Sequence, residues 1–363
     1  MEEFPEIKKL IEENRSILIC ANPSRSSLDV ILAVSSLFYT LKKIGKVVKL
    51  YPENFLTNKP FFPFPLKELK NLILTFKNPS FFSEIYYKKT NDTMELCLLA
   101  KGKLPKPENI SILIPEEGSQ DIHLVITVGV PSLESLGDFY ERNFKTFFNA
   151  PIINLDNNLD NREFGKINLI EDYPLAFLVC RLIRQFPIEI LDRYLAKSLF
   201  LGILLPLQEK KMQENLLETL CFLKKYITDF KDIKETILQD FSSKEKTLFE
   251  VFWRAMEYTS KTPFPIVALK KQNLGEFPLQ EKDLPLGIRL FRERPLFLPS
   301  ILFMWESHAS SNSTKGILYS PQEKHLIELL RTFSGIKDKE RIFFSTKKDL
   351  TSTKNLILGM FHG

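Results

Sequence analysis

The run SILICANPSRSSLDVILAVSSLFYTLKKIGKVVKLY, residues 16–51, constrains the fold more than any other. SILI is a short aliphatic run of the kind that forms a buried strand. Leu28 to Ile44 places apolar residues at helical spacing and stops at Gly45, a residue type that closes helices. KVVKLY, Lys46 to Tyr51, is a second strand. Two strands joined through a helix make a βαβ unit, whose crossover is right-handed and which implies a parallel sheet. The carboxyl end of a strand in such a sheet is where ligands usually bind. That position reads CANPSRSSLD, with Asn22, Pro23, Ser24, Ser26 and Ser27 where carboxylates, histidines or a glycine-rich loop would be expected.

The pattern changes after the second strand. Four strand-like runs between Pro60 and Pro115, with Asn91-Asp92 as a turn, predict a small antiparallel β insertion over about residues 66–115. HLVITVGV from His123 is a buried strand, Leu133 to Phe147 a helix, and APIINLD, Ala150 to Asp156, another strand that leads into the polar loop NNLDNREFGK. A helical region follows to about residue 240, completing an α/β unit over 1–240, with a linker helix over 241–261. TPFP, Thr262 to Pro265, breaks the helical run and marks the start of a smaller mixed α/β unit, 262–363. There PIVAL, LGIRLF and SILFMW read as strands, and KGILYS and RIFFS flank a helix from Pro321 to Phe333. The expected class is α/β: a parallel sheet with helices on both faces, a small β insertion, and a smaller mixed α/β region.

The net charge of +5, from 50 basic and 45 acidic residues, is too mild and dispersed to signal nucleic-acid binding by itself. Cys20, Cys97, Cys180 and Cys221 are far apart and lie in apolar runs, which reads as buried thiols in a reducing compartment. The first residues, MEEFPEIKKLIEEN, form a charged amphipathic helix rather than a signal peptide, and no apolar run reaches the ~18 residues of a membrane span. A cytoplasmic chain without membrane contact is expected. Neither G-x-x-x-x-G-K-[ST] nor G-x-G-x-x-G occurs among the 13 glycines. His123 reads as a strand-edge residue, His308 lies in the polar loop ESHASSNST, and Arg289, Arg292 and Arg294 read as a solvated strand edge. FLTNKPFFPFP, Phe55 to Pro65, reads as aromatic packing over the sheet.

The order of elements resembles the DHH phosphoesterases, in particular the two-domain oligoribonuclease and nucleotide-phosphatase type, along nearly the whole chain. In that family a first strand ends in a pattern like H-x-N-P-D-G-D-A-L-G, and CANPSRSSLD matches it at Asn22, Pro23 and Leu28. VITVGVPSLESLG fits the second signature in hydrophobic pattern and in Leu136-Gly137. NLDNNLDNREFGKINLI fits the third, the D-H-H motif with its F-G-x-I-N continuation, through Asp156, Arg162, Phe164, Gly165, Ile167 and Asn168.

The resemblance implies a phosphoesterase with two divalent cations, usually manganese, about 3.5–4 Å apart, one activating water and both stabilising charge on phosphoryl oxygens. Such a pocket needs several carboxylates and supporting imidazoles. The aligned positions carry other residues: Cys20 stands at the histidine, Ser24 and Ser26 at two aspartates, and Gly129 at the second-motif aspartate. Asn157 and Asn158 stand at the paired histidines, leaving Asp156, and GILLPL puts Pro206 at the aspartate of a fourth signature, G-I-L-T-D-T. Substrate phosphate in the family is held by an S-x-R-S strand and a glycine-rich loop ending in histidine. Here ILYS and FSGIKDK match, with Tyr319 at the arginine, Ser334, Gly335 and Ile336 at the glycines, and Ser320 and Gly335 retained.

Two readings follow. In the first, the chain has lost hydrolysis and acts as a binding or scaffold protein without a cofactor. In the second, it is a phosphoesterase with an altered metal site holding manganese or magnesium, Asp156 being the one matched ligand. Asp29, Asp160 and Asp172 are the other carboxylates that could reach such a pocket; a position a turn into the helix and two solvated settings speak against them. By the resemblance, Asn22, Arg162, Tyr319, Ser320 and Gly335 are the positions to contact substrate. The partners implied are a nucleotide or short nucleic acid, a protein, or a second copy in a homodimer.

Overall fold

A computed structural model describes residues 3–22, 27–53, 55–56, 73–76, 82–89, 94–101, 110–113, 121–209, 212–258, 262–277, 279–293, 298–307 and 313–361. Helix α1 (Glu3–Glu13) precedes β1 (Ser16–Ala21), α2 (Leu28–Lys43) and β2 (Val47–Tyr51), the expected βαβ unit. Four strands follow, β3 (Ile73–Phe76), β4 (Phe82–Lys89), β5 (Met94–Ala100) and β6 (Ile110–Leu113); β3 pairs with β6 and β4 with β5, both antiparallel, as expected of the insertion. The chain then forms β7 (Leu124–Val128), α3 (Asp138–Arg142), α4 (Phe144–Asn149), β8 (Ile152–Asp156) and β9 (Ile167–Ile170). The order β2-β1-β7-β8-β9 makes one sheet in which every pair is parallel.

Both faces of this sheet are covered, which is why its strands read as continuous apolar runs rather than alternating ones. Ile17, Ile19 and Ala21 of β1 enter the core shared with α1, α2 and the helices α5 (Leu175–Ile183) and α6 (Arg193–Leu204), while Leu18 and Cys20 face the layer containing Leu136, Phe139 and Phe147. Gly202 allows α6 to approach closely: a Cβ there would stand 2.5 Å from that of Ala176 and 3.1 Å from that of Leu32. Asp192 caps α6, accepting from the amides of Tyr194 and Leu195, and also takes the Tyr39 hydroxyl and the Lys43 ammonium from α2.

Helices α7 (Glu214–Lys224), α8 (Lys231–Ile237) and α9 (Ser243–Ala255) lead to a second sheet. It comprises β10 (Met256–Glu257), β11 (Ile266–Leu269), β12 (Ile301–Glu306), β13 (Thr314–Tyr319), β14 (Gly335–Asp338) and β15 (Arg341–Thr346), in the order β10-β11-β12-β13-β15-β14. Only β11–β12 is parallel, so the sheet is mixed. Helices α10 (Lys271–Gly275), α11 (Leu284–Glu293), α12 (Glu323–Thr332) and α13 (Leu350–Met360) accompany it. The main core is continuous through α9: Trp253 packs on Phe200 at 5.1 Å between ring centroids, and Phe252 on Phe303 of β12 at 5.5 Å. Among the described residues no helix is long and apolar enough to cross a membrane.

Several expectations are corrected. LGIRLF is not a strand but part of α11, because Leu284, Ile288 and Phe291 recur at helical spacing and are all buried. Arg289 and Arg292 therefore stand on a helix, and Arg294 lies outside the described residues. The expected helix from Leu133 to Phe147 is a 3-10 turn, Leu133–Leu136, followed by α3 and α4, divided at Gly137 and Asn143. The expected linker helix over 241–261 is shorter, Ser243–Ala255, and Met256 and Glu257 after it pair antiparallel with β11. Finally, β9 joins the parallel sheet where only a loop and motif were expected.

Candidate functional site

The residues that resemble family motifs gather at the carboxyl ends of β1, β7 and β8. Cys20 is fully buried in the apolar layer under the sheet, and burial pushes its thiol far above the ordinary range. Its neighbours there are apolar, Val125, Leu136 and Phe147 among them, and Cys20 acts as a packing residue. Asn22 is half-buried just after β1; Ser24, Ser26 and Pro23 lie outside the described residues.

Gly129 follows β7 with φ +66°, a left-handed conformation that favours glycine. Its amide donates to the Leu155 carbonyl at 2.9 Å, fixing the turn to β8. A Cβ at this position would stand 3.2 Å from Leu175 Cδ1 and 3.4 Å from Val30 Cγ2. The space beside Gly129 is thus occupied by two apolar side chains from α5 and α2.

Asp156, at the end of β8, has no exposed surface. Its Oδ1 accepts from the amides of Asn157 (2.8 Å) and Asn158 (3.3 Å), and its Oδ2 from the Asn161 side chain (2.8 Å). The carboxylate therefore staples its own loop. Asn161 continues the network to the Val130 carbonyl (2.9 Å) and accepts from Asn154 (2.7 Å); Asn154 also bonds Thr127 (3.0 Å) and Asn168 (3.1 Å). These buried amides satisfy one another, as a polar network under a sheet end must.

Asp29 is the carboxylate whose role the sequence conceals. It stands in the first turn of α2, buried rather than solvated, and accepts from the amides of Leu175 and Ala176, each at 3.1 Å. Pro174 begins α5 without a side-chain cap of its own, so Asp29 supplies the cap from another helix, placing a negative charge at the positive end of the dipole. It also accepts from Asn157 Nδ2 at 3.3 Å, tying α2 to the Asp156 loop. Asp160 and Asp172 are exposed as expected, and His123 is an exposed residue before β7. Arg162 pairs with Glu134 at 3.6 Å on the surface, and Pro206 is exposed in the turn after α6.

In the second sheet the structure brings Tyr319 and Ser320 together but leaves Gly335 on the edge strand β14, opposite Phe344. The Arg292 guanidinium lies 4.0 Å from the Tyr319 ring centroid, supplied from α11 rather than from β13. Ser320 is buried and its Oγ lies 3.0 Å from His325 Nδ1, 3.2 Å from the Ser300 hydroxyl and 3.1 Å from the Gln322 amide. Sequence reasoning misses His325; the pairing of a serine at the end of β13 with a histidine in the first turn of α12 is the signal that could have found it. The ring opens on a cavity of about 740 Å³ between α7 and the second sheet, lined among others by Glu214, Leu217, Pro263, Ser300 and Phe361. His308 lies outside the described residues, as does most of the stretch Phe55 to Pro65, of which Phe55 itself is buried.

No family model matches the chain, and no curated protein matches it. Among solved structures it is similar to an exopolyphosphatase-related protein from Bacteroides fragilis, with 11% identity, 99% of this chain and 95% of that one covered, and a TM-score of 0.40. It is also similar to the DHH domain of a protein described as a member of a ribosomal protein family, at 11% identity over 99% and 89% of the chains with a TM-score of 0.27. The exonuclease RecJ bound to manganese is similar at 11% identity over 99% and 92%, with a TM-score of 0.26.

Proposed function

We propose that this chain is a DHH-phosphoesterase-like protein that has lost two-metal hydrolysis and now serves as a binding or scaffold protein. The observation that carries the reading is the pair Gly129 and Asp156: the first stands against Leu175 and Val30, and the second has its oxygens taken up by the loop that follows it. Two divalent cations bring four positive charges, and the residues present do not fit them, because neutral asparagines and a cysteine packed in an apolar layer cannot balance that charge. Asp29 is the observation on the side of an altered site with manganese or magnesium, since Asn157 links it to the Asp156 loop. Both of its oxygens, however, already cap α5.

The reading is tested on purified protein loaded with manganese and offered a short oligoribonucleotide or an adenosine bisphosphate. The expected outcome is no turnover above buffer and no stoichiometric manganese in calorimetry. Hydrolysis that disappears in Asp156→Ala would overturn it in favour of an active phosphoesterase. A nucleotide, a protein or a second copy of the chain is the class of partner proposed.

A further inference from the structure

The hairpin of β4 and β5 lacks what usually holds a hairpin. Two strands alone are marginally stable in water and need a further strand or a packed layer. Yet β4 and β5 form a two-stranded sheet of their own, joined to neither of the larger sheets. Among the described residues no other element lies against it by more than isolated contacts, and no residue of β5 belongs to a core cluster. Leu96 and Leu99, which alternate to opposite faces, are 44% and 47% exposed.

The two edges of the hairpin differ. Proteins protect a free edge with lysines, prolines or bulges, since its unpaired amides and carbonyls otherwise recruit another strand. β4, FSEIYYKK, ends in two lysines and has a register shift between Phe82 and Glu84. β5, MELCLLA, has no proline and a single charge, Glu95, and its outer edge pairs with no strand among the described residues. An apolar edge of seven residues left in this form is a template for pairing.

That edge is complementary to itself. When β5 is set antiparallel to β5 of a second copy, with the two-fold axis at Cys97, Leu96 stands opposite the partner's Leu98, and the two copies together gather four leucines on one face. On the other face Glu95 stands opposite the partner's Leu99 and diagonal to the partner's Lys101, within reach of a long side chain. Glu95 and Lys101 are exposed, and neither has an ion-pair partner among the described residues. The symmetry makes each charged pair twice.

We propose that the chain forms a homodimer in which the two β5 edges pair antiparallel about Cys97, giving a four-stranded sheet in the order β4-β5-β5-β4. A two-fold contact of this kind closes after two copies, so it ends in a dimer rather than a fibre. The inference rests on the second copy among the partner classes proposed above and gives that copy its surface; it holds whether or not hydrolysis has been lost.

Sedimentation equilibrium of the full chain tests it, and a mass of two chains is expected. Residues directly opposite in an antiparallel pair have Cα atoms about 4.5–5.5 Å apart, so a short bismaleimide is expected to join Cys97 of the two copies. Cys20, Cys180 and Cys221 are buried, and Cys97→Ser is expected to abolish the cross-link while leaving the dimer. Leu96→Glu, at an exposed position outside the core, is expected to raise the dimer dissociation constant about tenfold or more without changing the unfolding midpoint of the two large sheets. Lys101→Glu is expected to raise that constant severalfold, and the double variant Glu95→Lys/Lys101→Glu to recover most of the loss. A monomer, a dimer that Leu96→Glu leaves unchanged, or a dimer without the Cys97 cross-link overturns the proposal. Manganese-dependent hydrolysis would overturn the preceding reading without touching this one, and a monomeric chain would do the reverse.

Discussion

At position 129 any side chain would have to share space with Leu175 and Val30 while the backbone stays left-handed. Restoring an aspartate there with Gly129→Asp is expected to destabilise the protein by about 1–3 kcal/mol in denaturant unfolding. It is also expected to leave manganese binding at the level of the parent, because among the described residues no group of three or more His, Cys, Asp or Glu side chains is placed to hold a metal ion. Asp29→Ala removes the only side-chain cap of α5 among the described residues and leaves two amides to find water, at a cost of about 1–3 kcal/mol by the same measurement. Asp160→Ala, at an exposed loop position, is expected to stay within about 0.5 kcal/mol. These two aspartates look alike in the sequence. What separates them is a contact between α2 and α5 across 146 residues, and no local spacing encodes that. The replacements at Cys20, Gly129 and Asn157 were legible as residue types, whereas the packing of α5 and α2 against Gly129 was not.

The elements that read most clearly were those whose apolar spacing agreed with their ends. The unit β1–α2–β2 is bounded by a strand-to-turn transition and by Gly45, and it forms where its pattern says. In contrast, α11 carries Pro285 and Gly287 among its apolar residues, so its helical period competes with residues that usually interrupt helices. The four residues of β9 are too few to show a period, and only pairing with β8 makes them a strand. Asp192 shows how one side chain joins elements and also sets a pH response. Burial pushes its carboxyl up, but the Leu195 amide, Lys43 and Tyr39 bond its charged form and hold it below the usual range. A depressed folded-state pKa adds stability above the unfolded value of about 3.9, and that stability is lost as pH falls through the folded pKa. Asp192→Ala is therefore expected to cost about 1–3 kcal/mol near neutrality. In denaturant titrations at successive pH values, the gap between parent and variant should close as pH drops below about 4.

On the scale of the whole molecule, α9 and α11 are shared property. Phe252 and Phe291 face β12 through Phe303, and Trp253 faces α6 through Phe200, so the two sheets have a common apolar interior. Calorimetry and far-ultraviolet circular dichroism are accordingly expected to report one coincident unfolding transition; two separated transitions would show that the sheets unfold independently. Truncation after residue 261 would strip Phe291 and Phe303 from that interior, and the remaining chain is expected to lose cooperative unfolding. The order of apolar runs foretold an α/β molecule with a second mixed sheet, but not that one aromatic cluster would serve both, since its members come from four separate runs. That cluster has an optical consequence. The chain holds two tryptophans; Trp305 donates to Glu281 at 3.0 Å near the surface, whereas Trp253 is wholly enclosed among phenylalanines with its indole N–H unbonded. Emission from Trp253 should lie to the blue and shift red only when the shared interior opens, giving the protein a built-in fluorescent gauge of whether its two halves are still joined.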